Sequence, residues 1–198
     1  MSRLPLLLLV LGGVVFVAQA ADEPSIKSPS PGKRFALRIG AVSGDGSAEP
    51  KVDLIEKESG KVVVDLGTTP PSYVERTSLV WSADGKRVAY GTRGDKEGDV
   101  RAFIWNGSAF DEAQLPGTMP DPAIRFDKSA GAVKNYGGAV QPLRWLKSGE
   151  LELSNDLMML SRDNGRTYTG TVIFTVAFDA KHQATIHHVG KTKTQVEK

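Results

Sequence analysis

A ten-residue pattern occurs three times in this chain, and it limits the fold more than any other feature. Trp81-Ser82-Ala83-Asp84-Gly85-Lys86-Arg87-Val88-Ala89-Tyr90 reads as a strand end, a tight Asp84-Gly85 turn and a second strand. Both turn residues tolerate the positive φ that such a turn requires. Ser28-Pro29-Ser30-Pro31-Gly32-Lys33-Arg34-Phe35-Ala36-Leu37 repeats it upstream, and Trp145-Leu146-Lys147-Ser148-Gly149-Glu150-Leu151-Glu152-Leu153 repeats it more loosely downstream. Gly32, Gly85 and Gly149 lie 53 and then 64 residues apart, enough for one small sheet per unit with loop insertions.

A second hairpin follows each copy. Residues 52–63 turn at Ser59-Gly60, residues 100–110 at Asn106-Gly107, and residues 157–168 match the first of these position for position. Asn-Gly is the strongest short hairpin signal. Phe35, Leu37 and Ile39 recur at every second position and so face one way, as do Val172, Phe174, Val176 and Phe178, so strands are expected and helices are not. The expected fold is all-β, with antiparallel four-stranded units near residues 28–66, 78–115 and 140–178.

The residues from Trp81 to Tyr90 resemble the repeat of TolB-type, WD40-like (PD40) β-propellers. Ser161-x-Asp163-x-Gly165-x-Thr167-Tyr168 resembles the Asp-box hairpin of sialidase-type propellers, with Tyr where that pattern usually has Trp. The resemblance implies blade-like sheets, and it implies that Asp163 holds its own hairpin through backbone hydrogen bonds. Closed propellers need about 4 to 8 blades, so three units cannot ring a channel. The expectation is a partial, three-unit β-propeller capped by the tail hairpin of residues 172–189. The alternatives are a homodimer whose two chains complete a six-bladed ring, and a β-sandwich or barrel.

Residues 1–20 read as a signal peptide: Arg3, an apolar run from Leu4 to Val17, and a cleavage site after Ala18-Gln19-Ala20. The run is shorter than the ~20 residues that span a bilayer, so no membrane span is expected after cleavage. Export to the periplasm or the medium follows as an expectation. Residues 21–31 are expected to be a flexible mature N-terminus, 32–189 a single β domain and 190–198 a disordered tail. The chain has 25 basic and 23 acidic side chains, and Arg3 leaves with the leader. So even a balance argues against nucleic acid as a partner. With no cysteine, there are no disulfides, thiolate metal sites or cysteine nucleophiles.

No catalytic constellation or cofactor motif is legible, and no enzyme is expected. Asp95, Glu97 and Asp99 form a calcium candidate, but glycine falls at the fourth loop position rather than the sixth and Asn106 at the twelfth. His187 and His188 are strand neighbours and point to opposite faces; His182 sits in a turn. Trp81 and Trp145 hold equivalent places in their repeats, which reads as core between units rather than sugar-stacking surface. The connection over residues 116–139 is long for a structureless loop, and Phe126, Lys134 and Tyr136 on it are the candidate contact site. Together these features point to a non-catalytic module that binds or scaffolds protein or an envelope polymer. The alternatives are a carbohydrate- or peptide-directed hydrolase and a structural subunit.

Overall fold

The computed structural model describes residues 24–41 and 48–197; the expected leader and its expected cleavage site at Ala20 lie outside them. The chain folds as three antiparallel meanders in sequence order. The first sheet is β1 (Ser25–Lys27), β2 (Phe35–Ile39), β3 (Lys51–Glu56) and β4 (Val62–Thr68). A 3-10 turn, Pro71–Arg76, leads to the second: β5 (Ser78–Trp81), β6 (Arg87–Arg93), β7 (Gly98–Trp105) and β8 (Phe110–Ala113). The third is β9 (Val133–Trp145), β10 (Leu151–Ser161), β11 (Thr167–Phe178) and β12 (Ala184–Val189), with β13 (Lys193–Glu197) also on β11. The chain is therefore all-β, built of blade-like sheets, and none of them closes into a barrel.

Strand alternation makes the second sheet the middle layer. Val88, Tyr90 and Phe103 point one way and pack with Phe35, Leu37, Ile39, Val52 and Leu54 of the first sheet. Ala89, Val100 and Ala102 point the other way and pack with Trp145, Leu151, Leu153, Phe174 and Val176 of the third. The far faces of the outer sheets carry clusters of charged and polar side chains. Arg38 reaches the buried carboxylate of Asp53 at 2.6 Å, and Lys51 bridges Asp53 and Asp65. On the third sheet Arg144 pairs with Glu152, and Asp156 takes Thr171 Oγ1 at 2.6 Å and Arg93 at 3.2 Å. Polar terminal faces are what stacked repeats need where stacking stops.

The equivalent tryptophans tie neighbouring sheets together. Trp81 Nε1 donates to the Ser28 carbonyl at 2.9 Å, and Trp145 Nε1 donates to the Val80 carbonyl at 3.1 Å. Each indole so anchors its sheet to the entry of the one before it, and buries its ring beside the hydrogen bond.

The repeat aligns one residue differently from its glycines. In the first turn Ser30 N donates to Phe35 O and Lys33 N to Ser30 O; in the second Ser82 N donates to Arg87 O and Gly85 N to Ser82 O. Lys33 (φ 58°) therefore occupies the Gly85 position (φ 67°), and Gly32 stands where Asp84 does.

The third sheet departs further from the repeat. The hairpin of residues 157–168 joins β10 to β11, whereas residues 52–63 join β3 to β4, so the two occupy different places in their sheets. The cause is in the sequence: Leu151–Ser161 contains no glycine or proline, and β10 runs straight through where the other units break. Twelve-residue β11 then needs two short strands along its free edge. β12 pairs with residues 174–178 and β13 with residues 167–171. The segments read as a flexible N-terminus and a disordered tail thus carry β1 and β13.

The long connections between sheets lie at one end, opposite the turns that follow each entry strand. The turn end holds residues 28–34, 82–86, 106–109 and 146–150; the loop end holds residues 69–77, 94–97, 114–132 and 162–166.

Candidate functional site

At the loop end, a cleft of about 300 Å³ opens between the first two sheets. It is lined by Thr68, Thr69 and Pro70, by Tyr73 of the 3-10 turn, and by Thr92, Gly94, Glu97, Gly98 and Asp99 of the β6–β7 hairpin. Local sequence builds both walls. Pro70 and Pro71 have fixed φ and start the 3-10 turn, in which Tyr73 N donates to Pro70 O at 2.8 Å. Thr77 Oγ1 closes it on Val74 O at 2.9 Å. Opposite, Gly94 N donates to Glu97 O at 2.7 Å and tightens the hairpin. A side chain at Gly94 would put its Cβ 2.6 Å from the Tyr73 ring, so glycine lets the ring lie against the backbone. An ion pair between Arg76 and Asp95 joins the two walls.

The chemistry of the lining is uneven. Glu97 and Asp99 are exposed carboxylates, and no lysine, arginine or histidine lines the cleft. Asp99 Oδ1 accepts only its neighbour's amide, Val100 N, at 2.8 Å, and Glu97 forms no ion pair among the described residues. Thr69 is 1 % exposed; its amide donates to Pro50 O at 3.1 Å, while its hydroxyl is buried without a partner among the described residues. Most buried polar atoms are hydrogen-bonded, so an orphan on the wall of a cleft calls for an explanation.

The calcium candidates separate here. Glu97 and Asp99 face the cleft, but Asp95 turns to Arg76, and no three metal-ligating side chains converge among the described residues.

Nor does the long connection bring its three contact candidates together. β9 starts at Val133, so Lys134 and Tyr136 are strand residues rather than loop residues. Phe126, 42 % exposed, packs edge-on against Tyr168 at 5.3 Å. Tyr168 pairs with Met159, and Met159 with Asn135, so Lys134, one position on, points to the opposite face. Tyr136, 44 % exposed, bulges from the ladder beneath Lys96 Nζ, 4.8 Å from its ring centre.

The connection itself is a cover. Beyond the second sheet's reach it lies on the same face of the third: Asn155 Nδ2 donates to Pro120 O at 2.9 Å, and Pro122 and Ile124 close on Gly170. Thr192 Oγ1 takes the Ala123 amide at 2.8 Å. Asp127 accepts from Ser129 Oγ at 2.6 Å, Tyr168 OH at 2.9 Å and Arg166 at 3.2 Å. The Ser129 hydroxyl, then that of Tyr168, holds the Asp127 carboxyl below its usual range.

Asp163 does not hold its own hairpin. Asn164 does so, with Oδ1 accepting the Arg166 amide at 2.9 Å, while Asp163 Oδ2 accepts the Ala132 amide of the cover at 3.2 Å. Of the histidines, His187 bulges from β12 and pairs with Glu150, and His182 lies 4.0 Å from Asp111. Thr69 and Tyr73 escaped the sequence reading because they sit between repeats and belong to no motif; only the unusual Thr-Thr-Pro-Pro run marks the place. Compared with known proteins, the chain matches no family model, no curated sequence and no solved structure.

Proposed function

We propose that the chain is an exported, non-catalytic binding module of propeller type, which holds a protein or an envelope polymer at the loop end of its sheets. The leader-like residues 1–20 support export. The observation that carries the binding role is the cleft between the first two sheets, walled by the connection through Pro70 and Tyr73 and by the β6–β7 hairpin. Its size suits one side chain or one sugar of a longer ligand. Function lies with the loops, while the tryptophan ties and paired cores keep the scaffold still.

A photo-crosslinking residue at position 73, compared with one at position 33 on the turn end, tests this in the native host. Adducts at 73 and none at 33 are expected. Equal labelling of both ends, or none at either, contradicts the reading.

A hydrolase acting on carbohydrate or peptide is the second reading, because Glu97 and Asp99 line one cleft. It requires product release that Glu97→Gln or Asp99→Asn abolishes.

A further inference from the structure

We infer that the cleft between the first two sheets selects a cationic group, an organic ammonium or guanidinium, on whatever ligand it holds. The inference rests on the binding reading above and narrows it. Three observations meet at one place. The first is charge: the lining contributes Glu97 and Asp99 and no base, and the nearby guanidinium of Arg76 is already committed to Asp95. The second is Tyr73, whose ring closes on Gly94 and lines the cleft, an aromatic side chain of the kind that attracts cations. The third is the Thr69 hydroxyl, buried on the same wall and without a partner among the described residues. Its oxygen accepts a hydrogen bond that an ammonium carries in surplus, since such a group has three donors and no acceptor.

A neutral hydroxylated group fits less well. It would leave Glu97 without an ion-pair partner among the described residues, in a concave site where field lines concentrate. An anion is repelled outright. Glu97 and Asp99 share the cleft with threonines and an aromatic ring, while the third acid of the loop, Asp95, pairs with Arg76. Lysine or arginine side chains of a protein and amino sugars of a polymer both carry the required group. The source is therefore a matter for experiment.

The test is calorimetric titration of the purified chain with N-acetyl-lysine methylamide, with its Nε-acetylated form, and with glucosamine. The lysine probe or glucosamine should bind, and the neutral acetylated probe should not. Whichever of the two charged probes binds more tightly names the source. Glu97→Gln combined with Asp99→Asn should weaken binding by about tenfold or more, the scale of two charge-assisted contacts. Both side chains are exposed, so the fold is retained, and an unchanged thermal midpoint checks this. Thr69→Val should weaken binding with no loss of stability. Equal binding of charged and acetylated probes overturns the charge selection while leaving the cleft as a binding site. No binding by any probe overturns it too, and crosslinking at position 73 then decides separately whether the loop end binds anything.

Discussion

The two ends of the stacked sheets are built differently. At the turn end, Phe35 packs against Trp105 at 5.3 Å and Phe110 at 5.1 Å, with Trp81 stacked beyond at 6.3 Å. Arg34 lies over the Phe35 and Trp105 rings. The turns above this cluster satisfy themselves: Ser82 Oγ donates to Asp84 and accepts the Arg87 amide, and Asn106 Oδ1 takes the amides of Ser108 and Ala109. At the loop end the closest packing is against glycines. Gly91, Gly94 and Gly98 each sit so close to a neighbour that a Cβ would collide, and the buried Thr69 hydroxyl has no partner among the described residues. Between the first two sheets, the turn end is finished by its own side chains, and the loop end leaves polar capacity unused. Binding belongs where the protein has not completed its own interactions.

Substitutions should separate the ends, and the largest effect belongs to the turn end. Phe35→Ala should cost about 3–5 kcal/mol in denaturant unfolding, because it empties the centre of the aromatic cluster. A cost below about 1 kcal/mol would mean that the cluster is not the base of the stack. Ser82→Ala removes a hydroxyl that both donates and accepts, and should cost about 1–2 kcal/mol. Trp145→Phe should cost about 1 kcal/mol through loss of the indole bond to Val80. Trp81→Phe should cost less, because its ring is less buried; a reversed order would break the proposed equivalence of the two ties.

Titration at the core between the two ends gives an effect that shows only at alkaline pH. Burial pushes the Tyr90 phenol from 10.0 up to about 12, against the opposing pull of Arg101. The raised folded value means that the stabilisation is complete below pH 10 and is lost as pH rises from 10 toward 12. Alkaline melts should show this loss, and Tyr90→Phe should flatten it. Thr69→Val should change stability least, or raise it slightly, since it replaces an unpaired buried hydroxyl with an isostere. If instead it destabilises the fold by more than about 1 kcal/mol, the hydroxyl has a structural partner and the loop end is finished after all.

Much of the turn end could be read from sequence. Asp84-Gly85, Asn106-Gly107 and the paired tryptophans are local signals, and local turn chemistry decides them. The one-residue slip at Ser30–Lys33 was hidden because Gly32 matches the motif, while the positive φ falls on Lys33. The long strands of the third sheet were visible as alternation from Leu151 to Ser161, but the repeat suggested a break there that no residue enforces. The cleft was not legible. Its walls come from a connection between repeats and from a hairpin tip, and only stacking brings Tyr73 against Gly94. Phe126 and Lys134 failed as a joint site for a related reason: whether neighbours share a face depends on register, which the loop composition does not encode.

Recognition at the loop end is tested most directly by following the amide resonances of the ¹⁵N-labelled chain as N-acetyl-lysine methylamide is added. The expected result is shifts confined to Thr68, Thr69, Tyr73, Thr92 and residues 94–99, with the turn amides of Lys33, Gly85 and Gly149 unmoved. Shifts centred on those turns, or on the Asp127–Arg166 cluster of the third sheet, would contradict it.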